Sequence, residues 1–107
     1  MDIQKYQQWV SEFYKIRGWY ELSPFIRMNF LSEETGEVSR AIRSIEIGRD
    51  RPDEAKQTEA ELLENLKEEL GDVLDNIFIL ADKYAISLED ILESHQEKLE
   101  KRFSSVK

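Results

Sequence analysis

Two short stretches of this chain match each other: LSEETGEV at residues 31–38 and LKEELGDV at residues 66–73. Both fit the pattern Leu-x-Glu-Glu-x-Gly-(Glu/Asp)-Val. Each lies within a longer run of apolar residues at helical spacing. The pattern is too short for a solenoid repeat and indicates one half-site that the chain uses twice. The two stretches therefore predict a pair of long helices with matching acidic faces.

Apolar residues outside these stretches also recur at helical spacing, and no segment shows convincing strand alternation. Gly18 and Gly48 end the first two runs. Helix starts are expected at three capping signals: Ser23 with Pro24, Thr58 with Glu61, and Ser87 with Asp90. Four helices are expected, at about these ranges: 2–17, 24–47, 58–83 and 88–103. The chain is therefore predicted to be all-α, with a single domain over residues 1–107.

Length and composition limit the classes of function that the chain can serve. It has 107 residues, and 23 acidic against 15 basic residues give a net charge of −8, which argues against nucleic-acid binding. The absence of cysteine and the single histidine exclude thiol catalysis, thiolate metal sites and multi-histidine zinc sites within one chain. No apolar run approaches the roughly 20 residues that span a bilayer, and the N-terminus lacks a signal-peptide core. A cytoplasmic protein without membrane contact is expected.

The acids of the two matched stretches differ in the direction they face. At about 100° per residue, Glu34 lies within the apolar stripe of its helix, and Glu69 lies towards the edge of the corresponding stripe. Glu37 and Asp72 follow one turn later on the same faces, about 60° around. If the two helices pack antiparallel, these four carboxylates converge.

Converging carboxylates repel one another and lose hydration, and a hard divalent cation removes that difficulty. Mg²⁺ takes oxygen ligands and keeps waters that bridge to substrate phosphates, whereas Ca²⁺ favours a loop rich in carbonyl ligands. Mn²⁺ is a plausible substitute. The plain alternative is a solvated acidic face, which is common in acidic helical proteins.

Gly36 and Gly71 occupy matched positions in the middle of the two predicted helices. Each costs about 1 kcal/mol relative to alanine. A small residue just before the second acid of each pair lets another helix or a ligand approach closely. The pair therefore indicates a packing requirement at the acidic site.

At these residues the sequence resembles the MazG-like nucleotide pyrophosphohydrolases, part of the all-α NTP pyrophosphatase superfamily. The family pattern, E-x-x-E on one helix and E-x-x-D on the next long helix, is matched by Glu34, Glu37, Glu69 and Asp72. The surrounding EETGEV and KEELGDVLDNI resemble the family's extended signature, and the resemblance covers about residues 5–103. It implies a MazG-like bundle of four helices, completed in a homodimer or a dimer of dimers. It also implies magnesium-dependent cleavage of a nucleoside triphosphate to a monophosphate and pyrophosphate.

Several other residues are candidates for this chemistry. Glu37 is the choice for the general base, because it lies off the apolar stripe where water can reach it. Asn76 returns to the face of Glu69 and is a candidate contact for a sugar hydroxyl or a phosphate. Lys67 occupies a position that the family pattern often fills with a base. Candidate contacts to the triphosphate tail in or near the loop are Arg43, Arg49, Arg51 and Lys56. Trp19 and Phe25 flank a predicted turn and are candidates for stacking on the nucleobase.

Three other functions remain open at this stage. A phosphoribosyl-ATP pyrophosphohydrolase would share the acidic quartet, although the extended signature favours the MazG-like branch and a role in nucleotide-pool housecleaning. A regulatory protein would bind metal and nucleotide without cleavage. A helical oligomerisation module would use its acids only for solvation.

Overall fold

The computed structural model describes residues 1–48, 52–53 and 55–104, and within them it contains four α-helices and no strand. The helices are α1 (Ile3–Ile16), α2 (Pro24–Glu46), α3 (Glu59–Lys83) and α4 (Leu88–Arg102). The all-α prediction is confirmed, and every predicted helix boundary lies within about one residue of the observed one. Among the predicted loop residues, Arg49 and Arg51 lie outside the described residues. In the described part of the chain, no helix has both the length and the apolar character that crossing a membrane requires.

Side-chain caps fix three of the helix starts that the sequence predicts. Ser23 accepts a hydrogen bond from the backbone N–H of Ile26, and Pro24 occupies the first turn of α2. Thr58 and Glu61 form a reciprocal capping box, each side chain accepting from the other's backbone N–H at 3.1 Å. Ser87 accepts from the N–H of Asp90 at the start of α4. These bonds satisfy backbone donors that would otherwise lack a partner in the first turn.

The chain divides into two compact units. Unit 1 comprises Met1–Leu22 together with the chain from Phe78 onward, and unit 2 comprises Ser23–Ile77. Unit 1 contains an apolar core in which α1 packs against α4 and the C-terminal part of α3 contributes the central side chains. The buried core residues of this unit are Val10, Phe78, Ile79, Ala81 and Leu88.

A polar side chain of α1, that of Gln7, forms hydrogen bonds with the turn between α3 and α4. The amide of Gln7 is buried, donates to the carbonyl of Ile86 and accepts from the N–H of Leu88. Ala85 in this turn has a φ of 56°, a left-handed conformation often found just beyond a helix C-terminus. Gln7 thereby satisfies backbone groups that the turn leaves without a helical partner.

Helix α2 and the part of α3 up to Ile77 belong to unit 2 and run antiparallel. Arg27, near the start of α2, donates a hydrogen bond to Asn76, near the end of the part of α3 that belongs to unit 2. Ser44, near the end of α2, and Leu62, near the start of α3, line the same cavity. Among the described apolar side chains of unit 2, Ala41 is the one that is buried, at 2% exposure. The acidic stretches of both helices therefore face each other in a unit with little apolar core of its own.

The two matched glycines do not mark a close contact within the chain. A Cβ added at Gly36 or Gly71 would meet no heavy atom within 4 Å, apart from its own neighbours and helix backbone. Among the described residues, no other helix approaches either glycine closely, and the expected approach of a helix or a ligand stays a prediction. Room for a ligand or a second chain remains at both positions.

Candidate metal centre and adjoining groove

Three of the four motif acids meet between α2 and α3. Glu34 from α2 and Glu69 and Asp72 from α3 each offer one carboxylate oxygen, and these three oxygens lie within 4.8 Å of one another. Glu34 and Glu69 are partly buried, whereas Asp72 is exposed. The spacing of three residues places Glu69 and Asp72 on the same side of α3, where the side chain of Glu34 from α2 meets them.

The cluster is electrostatically unfavourable when it is bare. Burial raises the pKa of Glu34 above its usual value, and the negative charges of Asp72, Glu69 and Glu37 raise it further. The pKa of Glu69 is also raised, first by burial and then by the charges of Asp72 and Glu37. Both carboxylates therefore hold protons more tightly than a free glutamate side chain does.

The donor set fits a hard divalent cation. All donors in the cluster are carboxylate oxygens on helices, with one side open to solvent, and Mg²⁺ uses one or a few carboxylates together with water and phosphate oxygens. The positive charge of a bound cation would offset the repulsion among the carboxylates. It would also lower the pKa values of Glu34 and Glu69, because a carboxylate binds metal in its deprotonated form.

Glu37 lies beside this trio rather than within it. Its charge raises the pKa values of both Glu34 and Glu69, so it is close to both carboxylates. Its side chain is exposed and lines a groove that continues from the cluster. This position leaves Glu37 accessible to water.

Asn76 is buried at 4% exposure and occupied by contacts within unit 2. Its Oδ1 accepts from Nη1 of the equally buried Arg27 at 3.1 Å, and its Nδ2 donates to the carbonyl of Asp72 at 2.8 Å. Asn76 therefore connects the α3 segment that carries Asp72 to the start of α2. A substrate contact by Asn76 stays a prediction.

A groove of about 280 Å³ adjoins the acidic cluster on the side of the interhelical loop. Arg43, predicted as a substrate contact, lines it together with Glu37 and Glu69. The other residues that line the groove are Arg40, Ala41, Ser44, Gln57 and Asn65. Arg43 thus lies near the predicted metal ligands.

Lys67 lies on a different side of α3. It is exposed and its Nζ is 3.6 Å from Oε2 of Glu64. Two residues before Glu69, it points about 160° away around the helix axis. Its role towards the substrate stays a prediction.

The two predicted stacking residues belong to different units. Trp19 of unit 1 is 47% exposed and packs edge-on against Tyr14, with ring centroids 5.4 Å apart. Phe25 lies in the first turn of α2 in unit 2 and is 85% exposed. Both rings retain exposed area, and their role in base binding stays a prediction.

Four polar residues at this site were missed in the sequence analysis: Arg27, Arg40, Gln57 and Asn65. Helical spacing contains part of the signal, because Arg40 is three residues after Glu37 and Arg27 is seven before Glu34. Asn65 is likewise four residues before Glu69. For Gln57, which precedes α3, spacing supplies no such signal.

Two comparisons with known proteins find a match for this chain. Residues 24–106 match the family described as the MazG nucleotide pyrophosphohydrolase domain. A protein of Bacillus subtilis (strain 168), described as uncharacterized protein YvdC, is 56% identical over 103 residues, which are 96% of this chain and 97% of the relative. No solved structure matches the chain.

The matched region contains both acidic stretches and every residue of the cluster and groove described above. The family acts on nucleotides and generally depends on a divalent metal, which agrees with a cluster of carboxylate donors. The chain therefore belongs to the MazG nucleotide pyrophosphohydrolase family.

Proposed function

We propose that this protein is a magnesium-dependent pyrophosphohydrolase that converts a nucleoside or deoxynucleoside triphosphate and water into a monophosphate and pyrophosphate. The observation that supports this most directly is the approach of the Glu34, Glu69 and Asp72 oxygens within 4.8 Å of one another. Mn²⁺ is the plausible substitute ion.

The four motif acids have distinct roles in this proposal. Glu34, Glu69 and Asp72 hold Mg²⁺, and Glu37 completes the site from its exposed side. The bound ion supplies charge neutralisation for the phosphates. The second oxygen of Glu37 accepts a proton from the attacking water. The water oxygen bonds to phosphorus, the α–β bridging P–O bond breaks, and its electron pair leaves with the departing phosphate group.

The remaining predicted residues are proposed to bind the substrate. Arg43 contacts phosphate oxygens. Lys67 stays a candidate for a phosphate contact, Asn76 for a contact with the sugar or a phosphate, and Trp19 and Phe25 are each candidates for stacking on the base. Support is strongest for Arg43, because it shares a groove with Glu37 and Glu69.

A role in nucleotide-pool housecleaning, in the cytoplasm where free nucleotides are found, is the physiological part of the proposal. It predicts that modified nucleoside triphosphates are better substrates than the normal ones. The comparison that tests this role is kcat/KM for each modified nucleotide against its unmodified parent.

We also propose that the chain works as a homodimer or homotetramer. Leu63, Leu70, Leu74 and Ile77 follow one side of α3, and each is 36–51% exposed. Unit 2 buries so little apolar surface of its own that a second copy of the chain would supply the missing contacts.

The decisive experiment is a product assay on the purified protein. With Mg²⁺ and a panel of normal and modified nucleoside triphosphates, we expect a monophosphate and pyrophosphate, separated by ion-exchange chromatography. No turnover of any nucleotide, together with no Mg²⁺-dependent rise in melting temperature, would reject the enzyme. Turnover of phosphoribosyl-ATP alone would assign the histidine-synthesis alternative instead.

A further inference from the structure

The groove beside the acidic cluster is lined by side chains of both charges. It shares Glu69 with the metal cluster, and Glu37, Arg40 and Arg43 also line it. Ala41 lies between the two arginines in the sequence and also lines the groove. It is 2% exposed and has a short side chain. An anion in this groove would therefore lie near both a cation held by the cluster and the two arginines.

Arg40 is the groove residue whose charge is available for such an anion. Its guanidinium group forms no ion pair or hydrogen bond with any residue in the described part of the chain. It lies three residues after Glu37, so both side chains leave neighbouring turns on one side of α2. A guanidinium group binds phosphate oxygens through two parallel hydrogen bonds, which gives directional recognition.

The remaining wall of the groove contains carboxamides. Gln57, just before α3, and Asn65, in its second turn, offer N–H₂ donors without adding negative charge. The groove volume of about 280 Å³ lies at the low end for small-molecule pockets and suits a fragment rather than a whole nucleotide. Guanidinium and amide donors in a small polar groove match a compact, highly charged anion.

We propose that this groove binds the pyrophosphate half of the substrate, and that Arg40 determines selectivity for triphosphates by contacting the terminal phosphate. The inference rests on the proposed function, because the substrate's cleaved bond must lie at the acidic cluster. The nucleoside then lies on the other side of the cluster, away from the arginines. A nucleoside diphosphate lacks the terminal phosphate and gains nothing from Arg40.

The test measures pyrophosphate binding separately from turnover. Isothermal titration with inorganic pyrophosphate in the presence of Mg²⁺ compares the wild type with Arg40→Gln, and Arg102→Gln in the last turn of α4 is the matched control. We expect Arg40→Gln to weaken pyrophosphate binding about 10- to 100-fold. Mg²⁺ alone should stabilise all three proteins equally, and Arg102→Gln should bind pyrophosphate like the wild type.

A second variant and a measurement of selectivity distinguish loss of a phosphate contact from a general disturbance of the groove. Asn65→Asp adds a negative charge to the groove with almost no change of volume, and it should also weaken pyrophosphate binding. In turnover, Arg40→Gln should raise KM for the triphosphate about tenfold and leave KM for the diphosphate unchanged. The selectivity between triphosphate and diphosphate would then fall by the same factor.

The outcomes separate this inference from the proposed function. Unchanged pyrophosphate affinity in Arg40→Gln, or an equal loss of Mg²⁺ and pyrophosphate binding, would overturn the groove assignment even if the wild type hydrolyses nucleotides. A wild type that binds no pyrophosphate would overturn it as well. Arg40-dependent pyrophosphate binding without any nucleotide turnover would support the groove and reject the enzyme.

Discussion

At the scale of single residues, the cluster of Glu34, Glu69 and Asp72 places charge where the bare protein tolerates it poorly. Partial burial and mutual repulsion raise the pKa values of Glu34 and Glu69. Carboxylates with raised pKa values are typical of functional sites, where a bound cation can supply the positive charge that offsets their repulsion.

Removing one charge should separate activity from stability. Glu69→Gln keeps the size of the side chain but removes a ligand charge, so turnover should fall roughly 100-fold or more while the helical circular-dichroism spectrum is unchanged. The matched control is Glu68→Gln, because Glu68 is the adjacent acid on α3, is exposed and lies outside the trio. Equal activity losses in the two variants would remove Glu69 from the metal site.

Stabilisation by Mg²⁺ should increase with pH. Because the folded-state pKa values of Glu34 and Glu69 are raised, the folded protein binds more protons than the unfolded chain just above the ordinary carboxyl range. The free energy of unfolding of the metal-free protein therefore falls as pH rises through that window. Mg²⁺ binds the deprotonated cluster and offsets this loss.

Melting temperatures with and without Mg²⁺ test this dependence. The increase in melting temperature that Mg²⁺ produces should be larger at about pH 7 than at about pH 5. NaCl at matched ionic strength is the control, because a chain with a net charge of −8 also gains stability from nonspecific screening. A gain that is equal at both pH values, or that NaCl reproduces, would contradict specific binding.

At the scale of elements, α3 combines two different faces on one helix. Glu69, Val73 and Asn76 lie on the side towards α2, and the exposed stripe of Leu63, Leu70, Leu74 and Ile77 lies about 100° around the axis. Gly71 lies in the middle of this helix with open space at its Cβ position. No contact with the described residues accounts for this glycine, which weakens the helix.

Gly71→Ala should therefore stabilise the chain. Apart from its chain neighbours and its own helix backbone, the added methyl group meets no heavy atom of the described residues within 4 Å. Helix propensity alone then predicts a gain of about 1 kcal/mol in the free energy of unfolding. Denaturant unfolding measures this gain. The control is Gly48→Ala, which should lower stability because Gly48 has a φ of +107° that alanine adopts only with strain. A destabilised Gly71→Ala protein would show that another chain approaches this position closely.

At the scale of the whole molecule, the distribution of apolar surface is uneven. Unit 1 has a core that includes Val10 at 1% exposure and Ile79 at 0%, whereas Ala41 is the one buried apolar side chain among the described residues of unit 2. We therefore propose that a second copy of the chain contacts the exposed leucines of α3.

The oligomeric state tests this surface. Light scattering should give a mass of about 25 kDa, twice the 12.7 kDa of one chain, or a higher multiple for a dimer of dimers. Leu74→Glu should shift the protein towards the monomer, because it places a charge in the stripe. Gln8→Glu adds the same charge at an exposed polar position of α1 and should leave the mass unchanged. A wild type that is monomeric at all concentrations would contradict the proposal.

The sequence by itself determined the helices, their ends and the presence of a matched acidic motif on each of two helices. Caps such as Ser23 and Thr58 act on backbone groups two or three residues away, and helical periodicity repeats within each run, so this information is local. The tertiary structure decided which acids meet, because Glu37 stays beside the trio although the motif treats it like the others. It also decided that Arg40 and Asn65 share a groove and that Asn76 bonds Arg27. Such distances depend on the rotation and separation of two helices, which packing across many residues sets together.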